Sequence, residues 1–246
     1  VSIFLIRHLR LISILMYFGV GAVLFLMLFP LLPLNRRQYY MARWAQYALR
    51  IVGVRLVHRA QFSQLGEAAR FVVANHISWL DILLLYSVLP IRFVAKVEIR
   101  GWPVVGRLSQ LLGTVFIFRE SLRDMTRVNR ELVAILHEGF SVAVFPEGAT
   151  TDGLQMQPFH PGLLQSAIVA QVPIQPVAIR YLRLDGSICA EAAYDGDKTL
   201  WQTLQGVCAQ QQVLAQITFT DLVLPAAQHR RELAVMTHQK ITDHLS

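Results

Sequence analysis

The sequence predicts an α/β fold, a mixed sheet flanked by helices, with an N-terminal membrane-anchoring helical segment. Three observations carry this expectation. No charged residue occurs from Leu11 to Leu34. After residue 70, short apolar runs alternate with amphipathic helical stretches. Gly, Pro or polar residues punctuate the joins. The proline-bearing stretch around Leu32–Asn35 separates the anchor from the rest of the chain. Residues 1–58 are assigned to membrane-anchoring and interfacial helices, and residues 59–246 to the α/β domain.

Composition narrows the class. The chain has 246 residues, 54% of them hydrophobic and only 16% charged. That is too apolar for a typical soluble enzyme and too polar for a multi-span transporter. The formal charge of +7 points to an anionic partner, and the apolar content favours lipid over nucleic acid. Cys189 and Cys208 form neither a metal-type cluster nor a disulfide framework, so both read as buried or incidental thiols in a reducing compartment.

Helix is expected from Leu11 to Phe29, where Pro30 and Pro33 end it. That stretch spans roughly 28 Å, close to the hydrocarbon thickness of a bilayer. It is long for a signal peptide, and no small-residue cleavage site follows it. The next segment places Arg43, Gln46 and Arg50 on one helical face and Tyr40, Trp44, Tyr47 and Ile51 on another. This suits a helix in the headgroup layer; the competing reading is an amphipathic helix packed on the chain's own core. Basic residues flank the first helix on both sides, so charge alone does not orient it. A helical pair dipping into one leaflet reconciles both flanks with the cytoplasmic face of the inner membrane.

Strands are expected at Phe71–Ala74, Arg92–Ala95, Val115–Phe118, Ser141–Phe145 and Ile174–Ile179, with a further one within Gln212–Leu224. The clearest helix is Ser121 to His137, with Met125, Val128, Leu132 and Ile135 on one face, Ser121 as its cap and Gly139 beyond its end. A basic amphipathic helix from about Gln228 to Leu245 closes the chain.

Chemistry concentrates where these strands end. Asn75-His76-Ile77-Ser78-Trp79-Leu80-Asp81 follows the first strand, with Asp81 in the first turn of a helix. The spacing suits a histidine general base oriented by a carboxylate on its other ring nitrogen. The same two residues also fit a strand-end histidine and a helix-dipole carboxylate. Phe145-Pro146-Glu147-Gly148 brings a carboxylate and a conformationally free glycine to another strand end. Gly113 to Arg119 delivers a guanidinium that can hold a phosphate or form a surface ion pair. Val172-Pro173-Ile174-Gln175-Pro176 brackets the start of a strand with prolines.

Taken together and in this order, these stretches resemble the glycerolipid acyltransferase superfamily, and in particular the bacterial 1-acylglycerol-3-phosphate (lysophosphatidate) O-acyltransferases. The matching pieces are Asn75-His76-x-Ser78-x-x-Asp81, Ala95-Lys96-x-Glu98 with Pro103-x-x-Gly106, Gly113 to Arg119, Phe145-Pro146-Glu147-Gly148 and Val172-Pro173-Ile174-x-Pro176. The resemblance implies transfer of a fatty acyl group from acyl-CoA or acyl carrier protein to the free hydroxyl of a lysolipid. It makes His76 the base and Asp81 its orienting partner. It places Glu147 and Gly148 at the acceptor site and Arg119 near the acceptor phosphate, with Lys96 as a second cation. No metal and no cofactor beyond the acyl-donor substrate is implied, and no nucleic-acid partner. Backbone N–H groups near the His76 turn are candidates for the oxyanion hole.

The chain departs from that pattern after Gly148. Phosphate-handling members read Phe-Pro-Glu-Gly-Thr-Arg, whereas Ala149 and Thr150 stand here. Either Arg119 and Lys96 hold the phosphate, or the acceptor is another lysolipid such as lyso-ornithine lipid. Two other classes compete: a lipid hydrolase using Ser78, disfavoured by the lack of a G-x-S-x-G elbow, and a non-catalytic lipid-binding protein.

Overall fold

Phe71–Ala74 forms a strand (β2) whose four side chains are all buried, as an apolar run covered on both faces requires. The computed structural model describes residues 3–59, 68–118, 121–225 and 228–245. Seven strands assemble in the order β1-β7-β6-β2-β5-β3-β4. They are β1 (Val54–Arg59), β2, β3 (Ile91–Lys96), β4 (Val115–Ile117), β5 (Ser141–Val144), β6 (Ile174–Leu182) and β7 (Val213–Phe219).

β2 pairs in parallel with both β5 and β6, β3 with β5, and β4 with β3. The carboxyl ends of β2, β5 and β3 therefore open on one edge, where ligands gather in such sheets. β7 turns antiparallel to β6, and β1 lies parallel to β7. The sheet is thus mixed, as expected.

Alternation along the strands feeds two cores. Val72, Ala74, Ala143, Val177 and Ile179 face one helical layer. This layer holds α1 (Ile3–Leu28), α2 (Leu34–Ile51), α3 (Leu80–Val88) and α8 (Leu200–Ala209). Phe71, Val73, Val142, Val144 and Ile174 face the other. There lie α6 (Leu122–His137), α7 (Leu164–Ala170) and α9 (Arg230–Thr242). Two short helices, α4 (Val97–Arg100) and α5 (Val105–Leu111), join β3 to β4.

The expected helix after Ser121 forms as read. The Ser121 hydroxyl accepts from the Asp124 N–H at 3.1 Å, and Val128, Leu132 and Ile135 are buried. Two elements lay outside the sequence reading. β1 begins at Val54, inside the segment assigned to the membrane part; two of its six residues are arginine, and it is an edge strand with a weak apolar pattern. α8 opens on a capping box of Thr199 and Gln202. β6 also runs past Ile179 to Leu182, because β7 continues the ladder through Leu182↔Leu214.

The apolar N-terminal helix is present and is long and apolar enough to cross a membrane. It does not stand free of the domain. Arg10 donates to the Gln210 and Gln211 carbonyls at 2.6 and 3.1 Å, the Tyr17 hydroxyl donates to the Trp44 carbonyl at 3.1 Å, and Leu11 and Ile14 are buried. Its other face leaves Ile12, Met16, Val20, Val23 and Met27 exposed. α2 packs on the core: Met41, Ala45, Ala48 and Leu49 are buried and Trp44 and Ile51 lie partly buried against them, while Tyr40 and Tyr47 remain about half exposed, at 46% and 47%.

Candidate active site

The chain leaves β2 at Asn75, whose side chain continues the pairing to β6. Its amide donates to the Ile179 carbonyl at 3.0 Å and accepts from the Ile179 N–H at 2.8 Å. The next residue, His76, turns its ring flat against Phe145 at the end of β5, with centroids 3.9 Å apart and planes 13° apart. Phe93 stacks on the far side of Phe145 at 6.0 Å. Apolar support on one face and a carboxylate at one nitrogen leave the imidazole little freedom.

That carboxylate is Asp81, at the second position of α3 and fully buried. Its Oδ2 lies 2.8 Å from His76 Nδ1 and accepts from the Ile77 and Ser78 N–H groups at 2.7 and 2.8 Å. Its Oδ1 accepts from the Tyr181 hydroxyl at 2.7 Å. A carboxylate that receives three unambiguous donors acts as an acceptor toward the ring as well. The Nδ1 atom therefore carries a proton, which makes Nε2 the ring nitrogen that can take another. Burial raises the Tyr181 phenol well above its ordinary range, so it stays a donor.

Glu147 sits behind this pair, buried, as a brace for the backbone. Its Oε1 accepts from the His76 N–H at 2.6 Å and its Oε2 from the Gln157 N–H at 2.8 Å. The His76 carbonyl in turn accepts from the Thr151 N–H at 2.9 Å and the Thr151 hydroxyl at 3.2 Å. Gly148 takes a φ of 84°, a backbone conformation that side chains with a Cβ resist. The Thr150 hydroxyl donates to the Tyr194 carbonyl, and the Tyr194 N–H donates to the Ile77 carbonyl at 2.9 Å. The loop after β5 and the segment near Tyr194 thus clamp the His76 turn from two sides.

Of the residues singled out from sequence, His76, Asp81, Glu147 and Gly148 converge here. Lys96 is exposed at the end of β3, on the same sheet edge but two strands from β2, roughly 10 Å away by strand spacing. Arg119 lies outside the described residues. One expectation is narrowed: the N–H groups of His76, Ile77 and Ser78 are already bonded to Glu147 and Asp81, so an oxyanion hole near this turn would have to draw on other N–H groups. Tyr181 and Thr151 escaped the sequence reading. Tyr181 meets Asp81 across a separation of 100 residues, and no local pattern marks it. Among the described residues no His, Cys, Asp and Glu cluster has a metal-binding arrangement. Cys189 and Cys208 are free and buried, with burial pushing both thiols up to about 11.

The Glu147 carboxyl has a measurable signature. Burial raises its pKa, and the two backbone donors only partly oppose that. In the window above the ordinary glutamate value of about 4.3, the folded chain holds this proton more tightly than the unfolded chain. The contribution of Glu147 to stability is therefore greatest below that window and declines as pH rises through the raised pKa. Glu147→Gln cannot titrate and turns an NH₂ group toward one of the two donors. It is expected to lose about 1–3 kcal/mol, with the gap to the parent narrowing as pH rises. Thermal melts of both proteins across pH read this directly.

A family model described as Acyltransferase matches residues 35–180, more than half of the chain. The chain belongs to the acyltransferase family. This acyltransferase is 39% identical over 179 residues to a lyso-ornithine lipid O-acyltransferase of Pseudomonas aeruginosa, a match covering 72% of this chain and 69% of that one. It is 46% identical over 123 residues to a 1-acyl-sn-glycerol-3-phosphate acyltransferase of Neisseria gonorrhoeae, covering 50% of this chain and only 48% of that relative. The crystal structure of the 1-acyl-sn-glycerophosphate (LPA) acyltransferase PlsC from Thermotoga maritima superposes with a TM-score of 0.72 over 97% of this chain and 96% of that one. At 20% identity, that match establishes the shared fold.

Proposed function

We propose that this acyltransferase moves a fatty acyl group from a thioester donor, acyl-CoA or acyl carrier protein, to the free hydroxyl of a lysolipid, with His76 as general base. The observation that carries the reading is the His76–Asp81 pair, in which Nδ1 is held by a buried carboxylate and Nε2 is left unengaged by it. His76 Nε2 takes the hydroxyl proton as the acceptor oxygen attacks the thioester carbonyl. The C–O bond forms, the C–S bond breaks, and the imidazolium returns the proton to the departing thiolate. Asp81 keeps the ring in the productive tautomer and stabilises it while charged. Glu147, in this reading, positions the acceptor site by holding the backbone of the base.

Two acceptors each have an observation in their favour. Lysophosphatidate is supported by the 46% identity to the Neisseria enzyme and by Lys96, an exposed cation on the catalytic edge. Lyso-ornithine lipid is supported by the longer match to the Pseudomonas enzyme and by Thr150, which stands where phosphate-handling members carry arginine and whose hydroxyl is bonded to Tyr194. A panel of lysolipids offered with one labelled acyl donor, read by mass spectrometry of the products, decides between them. Release of free fatty acid with no acylated lipid from any acceptor would overturn the transferase reading.

A serine-dependent hydrolase fits the geometry less well. The Ser78 hydroxyl is buried without a hydrogen-bond partner among the described residues, so it makes no bond to His76 and no Ser–His nucleophilic pair is formed. The exposed apolar face of α1 is read as bedding into one leaflet on the cytoplasmic side, with the opposite face on the domain. Addition of a membrane-impermeant label to the outside of intact cells is expected to leave the N-terminus unmodified.

A further inference from the structure

We propose that the loop between α4 and α5 is a second membrane-contacting element, which seats the catalytic edge of the sheet on an anionic lipid surface. The loop and the helix ends that flank it, Arg100-Gly101-Trp102-Pro103-Val104-Val105-Gly106-Arg107, put four apolar residues between two arginines. Loops are ordinarily polar, and large apolar side chains grouped on a surface mark an interaction site. Here Trp102, Val104 and Val105 are exposed to 48%, 42% and 48%, and Arg100 and Arg107 are exposed beside them.

The backbone is shaped to present them. Val104 has φ 62° and ψ −62°, and the Val105 N–H donates to the Pro103 carbonyl at 2.6 Å. This is a γ-turn of the rare positive-φ kind, with a β-branched residue at its centre, where strain is greatest. Strain of this sort persists only where the surroundings impose it, and it gathers at functional segments. The chain is packed tightly around it: a Cβ at Gly106 would stand 2.3 Å from the Arg100 carbonyl, and the Gly106 N–H donates to the Trp102 carbonyl at 3.0 Å.

Two features identify lipid as the occupant. The first is continuity with the apolar N-terminal helix. α5 packs on α1, Leu111 shares a core cluster with Phe29, and Arg37 donates to the Leu111 carbonyl at 2.8 Å. The loop therefore leads off the helical layer that carries the exposed apolar face of α1. The second is composition: an indole prefers the membrane interface, and flanking arginines suit anionic headgroups. α4 starts directly after Lys96, so the same contact holds the His76 edge near the bilayer. That consequence rests on the lysolipid reading above; the lipid contact does not.

The test uses the full chain on vesicles of phosphatidylethanolamine and phosphatidylglycerol, with and without acyl chains carrying bromine. Trp102 is one of four tryptophans, so the emission lost in Trp102→Phe isolates its signal. That component is expected to be quenched by brominated lipid and protected from aqueous iodide. Quenching by iodide, or protection from both quenchers as in a protein contact, overturns the proposal. In parallel, the double variant Val104→Asp and Val105→Asp is expected to transfer about tenfold more slowly to a lysolipid embedded in vesicles, and at the parent rate to a short-chain lysolipid dissolved as monomers. Equal losses on both acceptors overturn it. If the parent protein acylates no lysolipid, the proposed function fails while the quenching result still decides the membrane contact.

Discussion

His76→Ala is expected to lower acyl transfer by about 10²–10⁴-fold, the range a positioned general base supplies. An alcohol is a poor nucleophile at neutral pH, and no other imidazole in the described structure takes part in the Asp81 pairing. The ring is only partly buried and packs on Phe145, so its removal leaves the strand ladder and the Asn75–Ile179 bonds in place. Membrane association and the thermal transition are therefore expected to stay close to those of the parent. The measurement is initial-rate transfer from a labelled thioester to the best acceptor in the panel, beside a flotation assay. Substantial transfer by His76→Ala would reject the mechanism, whatever the acceptor proves to be.

Asp81→Asn is expected to be as damaging to activity and worse for the fold. Amidation of an orienting carboxylate costs a Ser-His-Asp triad about 10⁴-fold through the wrong tautomer, and the same logic applies to a histidine held at Nδ1. Asp81 differs in how many groups depend on it. Four donors converge on its two oxygens, from His76, Ile77, Ser78 and Tyr181, in a site without solvent access. An amide there turns an NH₂ toward N–H groups that have no alternative partner in the turn, at about 1–3 kcal/mol for each unsatisfied group. Loss of activity is thus accompanied by a lowered melting temperature, unlike His76→Ala. Tyr181→Phe removes one donor and keeps the ring; it is expected to slow transfer about tenfold with the acceptor KM little changed. A variant series showing identical activity and stability for Asp81→Asn and the parent would place the proton relay elsewhere.

What could be read from residues alone divides by the range of the interaction. Phe71–Ala74 and Ser121–His137 were legible because a fully buried strand and a capped amphipathic helix declare themselves within one window. His76 and Asp81 were legible for the same reason, lying five positions apart with the turn between them. Val54–Arg59 was not, since an edge strand with arginines needs no continuous apolar run and gains its identity only by pairing with Val213–Thr218. Tyr181 was out of reach because its role depends on the β6–β7 register and on Asn75 fastening β2 to Ile179. Glu147 was recognisable as a motif residue, but its bonds to the His76 and Gln157 backbone needed the fold. The oxyanion expectation named only N–H groups near the His76 turn, and the structure narrows it by engaging those of His76, Ile77 and Ser78 with carboxylates.

The His76 turn is fastened at its N–H, its carbonyl, its ring face and Nδ1. On the proposed mechanism, a base held this way cannot swing to meet a substrate. In a lipid seated at a fixed depth, it addresses a single height above the acyl chains. Which hydroxyl of a polyol headgroup is esterified then becomes a matter of altitude more than of reactivity. Regioisomers presenting their free hydroxyl one carbon higher or lower would be passed over even though their chemistry is the same.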